Sequence, residues 1–343
     1  AFLKAIQQSL REHGQSSPFA FWGDKIGFEP LFLEMMTQAV RDYDSDHFVY
    51  VMRDFDKMDT SVGVSQKQQS FIPKLAAAYH YNEKSKSYVD MEEAILFSNR
   101  CPIATPDGMW TGDHGEASGA TVTNGGETCC NEDFDDVFHN KVTLRCQQVG
   151  IRIVRLCSYG NGDDGITIYY LYDLSRFEEF KEILKECASE AAEDGGYVIQ
   201  SEKWDINLGT YGKYCQYLPS WDADLNRIRM RYPAALILNG ICHPEKQYKP
   251  AEWDKDYRDH DVIDKLTNGF DLEYFHELID YVDNGMKFRL LGRTERETRR
   301  ILSKWDKYRS LQPESRRFNI VNEEWDNDIY KNPVVKYLLE KRG

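Results

Sequence analysis

Four aspartates stand where their spacing could do chemistry. Asp54 and Asp59 lie five residues apart in "RDFDKMD", and Asp163 and Asp164 are adjacent in "YGNGDDG". Carboxylates are hard oxygen ligands that suit Mg²⁺ or Mn²⁺, ions that keep some water and take phosphate oxygens as further ligands. Two such ions roughly 3.5–4 Å apart can activate an attacking hydroxyl and stabilise a leaving pyrophosphate. Between the two acidic pairs, "GEASGATVTNGG" offers Ser118, Gly119 and Thr123 in a Gly-rich loop. Each piece also has a plainer reading. An acidic turn after a strand is commonly a solvated end, and "GNGDDG" suits a type I′ turn or a Gly/Asp loop that binds Ca²⁺. The Gly/Ser/Thr stretch also suits a flexible lead into a helix.

These residues need elements to hold them. "HFVYVMRDFDKMD" opens as an apolar strand over Phe48–Met52 and breaks into acid at its C-terminal end, where a carboxylate faces a cleft. "GIRIVRLCSYG" and "GITIYYLYD" alternate β-branched and aromatic residues around Gly-Asn-Gly-Asp-Asp-Gly, so they read as a hairpin, with Asp164–Gly165 helping to close it. A helix precedes the first strand, with Leu31, Leu33, Met36 and Val40 on its apolar stripe. Residues 64–105 read as mixed helix and loop, with a helix around "IPKLAAAYHY". A loop over Gly108–Gly119 then feeds a helix that runs through Phe138, in spite of Gly125 and Gly126. After the hairpin, Asp173 or Ser175 caps "LSRFEEFKEILKECASEAAED", and Gly195–Gly196 ends it. Short strands follow in "GYVIQSEKWDINLG" and "YCQYLPSW". The order predicts an α+β fold with helices packed on one face of an antiparallel sheet. Beyond Trp221 the pattern is mostly helical, and Lys287–Arg317 is basic.

Length and charge bound the rest. A chain of 343 residues that is 41% hydrophobic can bury one large core or two smaller ones. Its net charge of −14 argues against a wholly basic nucleic-acid coat but allows a local basic groove. Eight cysteines without C-x-x-C pairs indicate neither a disulfide framework nor a zinc site, and fit reduced thiols in a cytosolic setting. The N-terminus "AFLKAIQQSLREHG" has a helical stripe at Phe2, Leu3, Ile6 and Leu10 rather than a signal peptide, and no stretch is long enough to span a membrane. The missing initiator Met suggests a piece of a longer chain.

Taken together, the motifs resemble those of the viral RNA-dependent RNA polymerases. Asp54-x4-Asp59, Ser118-Gly119-x3-Thr123 and Gly162-Asp163-Asp164 match motifs A, B and C of that family's palm, in order and with the family's intervals. Thr123-Asn124 and Glu127 look most like the picobirnavirus and partitivirus branch of the picornavirus-like supergroup. The resemblance implies a right-hand palm with partial fingers and a mostly helical thumb. It sets partial fingers at 1–47, palm with motif A at 48–63, a fingers insertion at 64–105, palm with motifs B to E at 106–219 and thumb at 220–343. It implies RNA-templated RNA synthesis from NTPs in replication and transcription of a viral RNA genome, using two Mg²⁺ or Mn²⁺ ions. RNA template and product, NTPs and a viral capsid are the partners implied, in the host cytoplasm or the virion interior.

Residue roles follow from the same resemblance. Asp54 and Asp163 would be the principal metal ligands, with Asp164 supporting an ion or the priming 3′ end. Asp59, Ser118 and Thr123 would read the ribose 2′-hydroxyl, with Asn124 beside them on the nucleotide. Gly119 would let the motif B loop flex. Lys203, in the motif D match, would be the general acid for the leaving pyrophosphate, or else a solvated strand-end lysine. Tyr217, at motif E, reads as packing. Two departures stand out. Glu127 replaces the Asn many relatives carry four residues after the motif B Thr, which puts the 2′-hydroxyl network in doubt. No basic motif F precedes Asp54, so the resemblance leads to the expectation that most of the fingers are missing from this chain and that it is inactive alone. The basic segment Lys287–Arg317 suits either duplex RNA or a solvated helix face. Reverse transcriptase is the rival enzyme, disfavoured by Asp59 where DNA-synthesising relatives use a bulky aromatic. The rival of another class is a non-catalytic Ca²⁺- or RNA-binding module, in which Asp54 and Asp163 would lie far apart.

Overall fold

The computed structural model describes residues 25–116, 123–200, 204–209, 218–222, 227–231, 233–243, 255–269, 272–305 and 328–342; for residues 25–33, 124, 218–222 and 227–231 it describes the backbone alone. They fall in two compact units, one of residues 34–215 and one of residues 216–343 with 25–33. No helix among the described residues is long and apolar enough to cross a membrane.

The first unit is built on a four-stranded antiparallel sheet of β1 (Phe48–Arg53), β4 (Ile153–Asn161), β5 (Asp164–Leu171) and β6 (Asp205–Leu208), in the order β4-β5-β1-β6. All six residues of β1 are buried, as its unbroken apolar run requires of a central strand covered on both faces. Helix α1 (Lys25–Asp42) precedes it. The Glu34 carboxylate of α1 lies close enough to Tyr159 of β4 to raise its phenol pKa, which burial raises most. Asn161 pairs with Asp164, so the hairpin turn is Gly162–Asp163, two residues before the Asp164–Gly165 closure expected from sequence. Of these two, only Gly162 has positive φ, at 61°, which is the pattern of a type II′ turn rather than type I′.

Two helices cover one face of the sheet. Helix α4 (Thr123–Val149) runs 11 residues beyond the Phe138 end read from sequence. The reason is visible in its spacing: Cys130, Phe134, Phe138, Val142 and Cys146 recur every fourth position and enter one core with Val49, Val51, Tyr169 and Ile206. Helix α5 (Phe177–Gly195) adds Phe180, Ile183, Leu184, Cys187, Ala188 and Ala191 to that core. It follows a 3₁₀ turn over Leu174–Arg176, which Asp173 caps by accepting from the Ser175 amide, and it ends where Gly196 turns left-handed at φ 70°.

Residues 64–110 are more ordered than mixed helix and loop. Helices α2 (Ile72–Ala78) and α3 (Lys86–Leu96) close a small core with Phe71 and Cys129 of α4, and Lys74 bridges to Glu132 and Asp133 at 2.7 Å each. A π turn, Lys67–Phe71, leads into α2. Ile103–Thr105 (β2) and Gly108–Trp110 (β3) pair as a hairpin where a loop was expected from Gly108 onward.

The second unit opens with a hairpin, β7 (Leu218–Asp222) and β8 (Arg227–Arg231), before it becomes helical. Its core joins α6 (Ala234–Cys242), α7 (Lys255–Thr267), α8 (Phe275–Asp280), α9 (Glu295–Leu302) and α10 (Pro333–Glu340). Arg342 ties the Leu290, Leu291 and Gly292 carbonyls of the loop ahead of α9.

Candidate active site

Asp54 is the first residue beyond β1. Phe55, next to it, points into the core against Phe134, with ring centroids 4.9 Å apart. Alternation along an extended chain therefore sends Asp54 to the opposite side, away from α4. Its backbone is fixed on both sides: the Trp204 indole donates to the Asp54 carbonyl at 3.2 Å, and Phe55 bridges to Ile199. Arg53 pairs with Gly165 on β5. One step further in that register sets Asp54 across from Asp164, about 5 Å away at the strand spacing, with Asp163 on the adjoining turn. Asp54 and the Asp163–Asp164 pair, more than a hundred residues apart in sequence, thus meet at one end of neighbouring strands.

A buried polar network holds this junction. Arg53, whose side chain is wholly buried, forms an ion pair with Asp135 of α4 and also donates to Thr167 and to the Asn131 amide oxygen. Asn131 donates to the carbonyls of Gly162 and Asp164, both at 3.0 Å, and the Gly162 amide donates to Thr128 Oγ1 at 2.8 Å. The carrying turn of Asp163 is therefore gripped by one face of α4, while the residue preceding Asp54 is gripped by the same face. A bulge between Arg155 and Cys157 accompanies the approach of Arg155 to Asp135 at 3.1 Å. A Cβ on Gly165 would stand 2.7 Å from Arg53 Nε and Nη2, so a larger residue there would have to displace the buried guanidinium.

The surroundings are strongly acidic. Asp59 lies in the one-turn helix Met58–Ser61 after β1, and Thr123 is the first residue of α4 and buried. Glu127, one turn further, is also buried. Burial and then the charges of Asp163, Asp59 and Glu116 push its carboxyl up to about 8, against a smaller opposing effect of Lys67. These five residues thus share one electrostatic neighbourhood with excess negative charge. Among the described residues no three His, Cys, Asp or Glu side chains stand together as a ready metal cage. Mg²⁺ ordinarily takes only one or two carboxylates and completes its shell with water and substrate phosphate. Hard oxygen donors at Asp54, Asp163 and Asp164 in an excess of negative charge fit such an ion.

Of the residues expected on sequence, the register sets Asp54 across from Asp164 with Asp163 on the adjoining turn, Asp59 and Asp163 both act on Glu127, and Thr123 stands one turn before Glu127 on α4. Ser118, Gly119, Lys203 and Tyr217 lie outside the described residues, as does the side chain of Asn124. Sequence reasoning passed over Arg53, Thr128, Asn131 and Asp135. The last three recur at i, i+3 and i+7 of α4, a polar stripe on the helix face toward the sheet, and that spacing was the available signal.

No protein-family model matches the chain, and no curated protein matches it in sequence. Solved structures do match. The chain is similar to the crystal structure of the RNA-dependent RNA polymerase of a human picobirnavirus, with TM-score 0.70 and 17% identity, over 99% of this chain and 59% of that one. The insertion-loop deletion mutant of the RNA-dependent RNA polymerase of a human picobirnavirus matches with TM-score 0.64 and 17% identity, over 99% of this chain and 57% of that one. The chain therefore has the α+β fold of those polymerases and spans about three-fifths of their length.

Proposed function

We propose that this chain carries the palm of an RNA-dependent RNA polymerase, joining NTPs to an RNA 3′ end on an RNA template in the replication of a viral genome. The observation that carries the reading is the meeting of Asp54 with Asp163 and Asp164 at one end of adjacent strands, beside Asp59 and the start of α4, on a fold shared with such polymerases. Asp54 and Asp163, supported by Asp164, are the residues that would hold Mg²⁺ or Mn²⁺. When bound, a pair of such ions supplies activation of the attacking hydroxyl and stabilisation of the leaving pyrophosphate.

The remaining work falls to the protein. The grip of Asn131 and Thr128 on the Gly162–Asp163 turn holds the Asp163 carboxylate in place before substrate arrives, so little reorganisation is left for the reaction itself. Arg53 fixes the end of β1 and hence the origin of Asp54. Asp59 and Thr123 are the residues that would read the ribose 2′-hydroxyl by hydrogen bonds. The decisive experiment is RNA-templated incorporation of labelled NTPs by the protein at its native length. Asp54→Asn and Asp163→Asn should each reduce incorporation to background with the melting temperature unchanged or raised. Retained incorporation in either folded variant rejects the metal-ligand assignment, and no incorporation by wild type on any RNA template rejects the polymerase reading.

A further inference from the structure

The turn that carries Asp59 is held from outside the recognised motifs. Residues 113–116 run along it, and the Glu116 amide donates to the Asp59 carbonyl at 2.6 Å. A Cβ on Gly115 would stand 2.5 Å from Thr60 Cα and 2.7 Å from the Asp59 carbonyl oxygen, so only glycine permits this approach. Behind it, the buried Asn99 donates through Nδ2 to the Val62 carbonyl at 3.1 Å and to the His114 carbonyl at 3.0 Å. The His114 amide returns a bond to the Asn99 carbonyl at 2.9 Å, and its ring bonds the Cys101 carbonyl at 3.0 Å. Both ends of the turn over Asp59–Val62 are thereby tied to one backbone segment.

Lys67 locks that segment. Its ammonium forms an ion pair with Glu116, both side chains fully buried, and donates to Ser98 Oγ at 3.0 Å. The pair lies against the opening of α4, where a Cβ on Gly126 would be 3.5 Å from Lys67 Cε. A well-packed apolar pair would hold the segment at least as stably as a buried ion pair. Stability alone therefore does not account for the charges. A charged pair adds direction: Lys67 fixes the orientation of Glu116, and the backbone of Glu116 fixes Asp59.

We infer that Lys67, Asn99, Gly115 and Glu116 act as positioning residues for Asp59 and thereby set how strongly the site prefers ribose to deoxyribose, although none of them reads the nucleotide. This rests on the polymerase reading and on the place of Asp59 in it. An Asp59 carboxylate that drifts loses its hydrogen bond to the 2′-hydroxyl, a group that dNTPs lack. Loosening the segment should therefore penalise NTP use and leave dNTP use nearly as it was.

The test compares single-nucleotide incorporation of NTP and dNTP on an RNA template for wild type, Glu116→Gln, Gly115→Ala and Asp59→Asn, with kcat and KM for each. Glu116→Gln keeps the shape and removes the charge, so it remains informative where Gly115→Ala does not fold. The NTP:dNTP ratio of kcat/KM should fall about 10-fold in Glu116→Gln, the worth of one hydrogen bond of about 1.4 kcal/mol. Combining Glu116→Gln with Asp59→Asn should add little, because the two changes remove the same interaction. Equal losses for NTP and dNTP with an unchanged ratio overturn the positioning role alone. A wild type at its native length that incorporates neither nucleotide overturns the polymerase reading on which it stands.

Discussion

Glu127 is buried beside three other carboxylates, and its own carboxyl is held up to about 8 by that burial and by Asp163, Asp59 and Glu116. At pH 7 the folded chain therefore keeps Glu127 as a neutral acid, able to donate a hydrogen bond as an amide would. This softens the doubt raised by finding Glu where many relatives of the implied family carry Asn. An unfolded glutamate titrates near about 4.3, so the folded state binds this proton more tightly. The stabilisation is fully present below that value and is lost as pH rises towards about 8. Metal-free thermal melts between about pH 5 and pH 9 should show wild type losing stability with rising pH relative to Glu127→Gln. Parallel curves would remove this account of the residue. His139 runs the opposite way: burial and then Arg155 hold its imidazole down to about 4. Its contribution is present above about 6.5 and lost as pH falls towards about 4, and His139→Gln should flatten the acid side of the stability profile.

Between elements, the buried Arg53–Asp135 pair is a costly joint to break. Asp135→Asn leaves a buried guanidinium without its nearer carboxylate and should destabilise the first unit by about 3–5 kcal/mol in urea unfolding. The double change Arg53→Met with Asp135→Leu should recover much of that, and a double variant as weak as the single one would show that the polar network, not the desolvated charge, carries the cost. The same joint marks the limit of what could be read in the chain. The hairpin was legible because alternating Ile, Tyr and Val around glycines has one cheap solution. The strand ending at Asp54 was legible because its apolar run stops abruptly. Arg53, Asn131 and Asp135 were not, since a charged or amide side chain reads as solvent-facing until its partner, some eighty residues away, is known. The turn's position, two residues earlier than expected, depended on which of several glycines took the left-handed φ.

Across the whole molecule, charge is unevenly placed. The chain carries a net −14, yet Arg289, Arg293, Arg296, Arg299 and Arg300 of the second unit are all exposed. Arg289 and Arg293 stand with Lys341 and Arg342 around a concavity of about 580 Å³. If this face meets the phosphate backbone, Arg289→Glu with Arg293→Glu should weaken RNA binding irrespective of sequence. The slope of log affinity against log salt should become shallower by about 2. Binding that is unchanged by the double reversal would restrict these arginines to a solvated surface. Charge of this kind was readable as a basic stretch, Lys287–Arg317, but not its presentation, because the loop's left-handed residues and the guanidinium that ties them lie some fifty residues apart in the chain.

The closeness of Gly165 to the Arg53 guanidinium has a consequence for descent. A change at either position disturbs the other: a side chain at 165 displaces the Arg53 guanidinium, and a shortened residue at 53 abandons Asp135. The two sites are therefore a single heritable unit split across two strands. In a library randomised at both, survivors with alanine at 165 should carry a smaller residue at 53, and a lineage that lost one should be found to have exchanged the other.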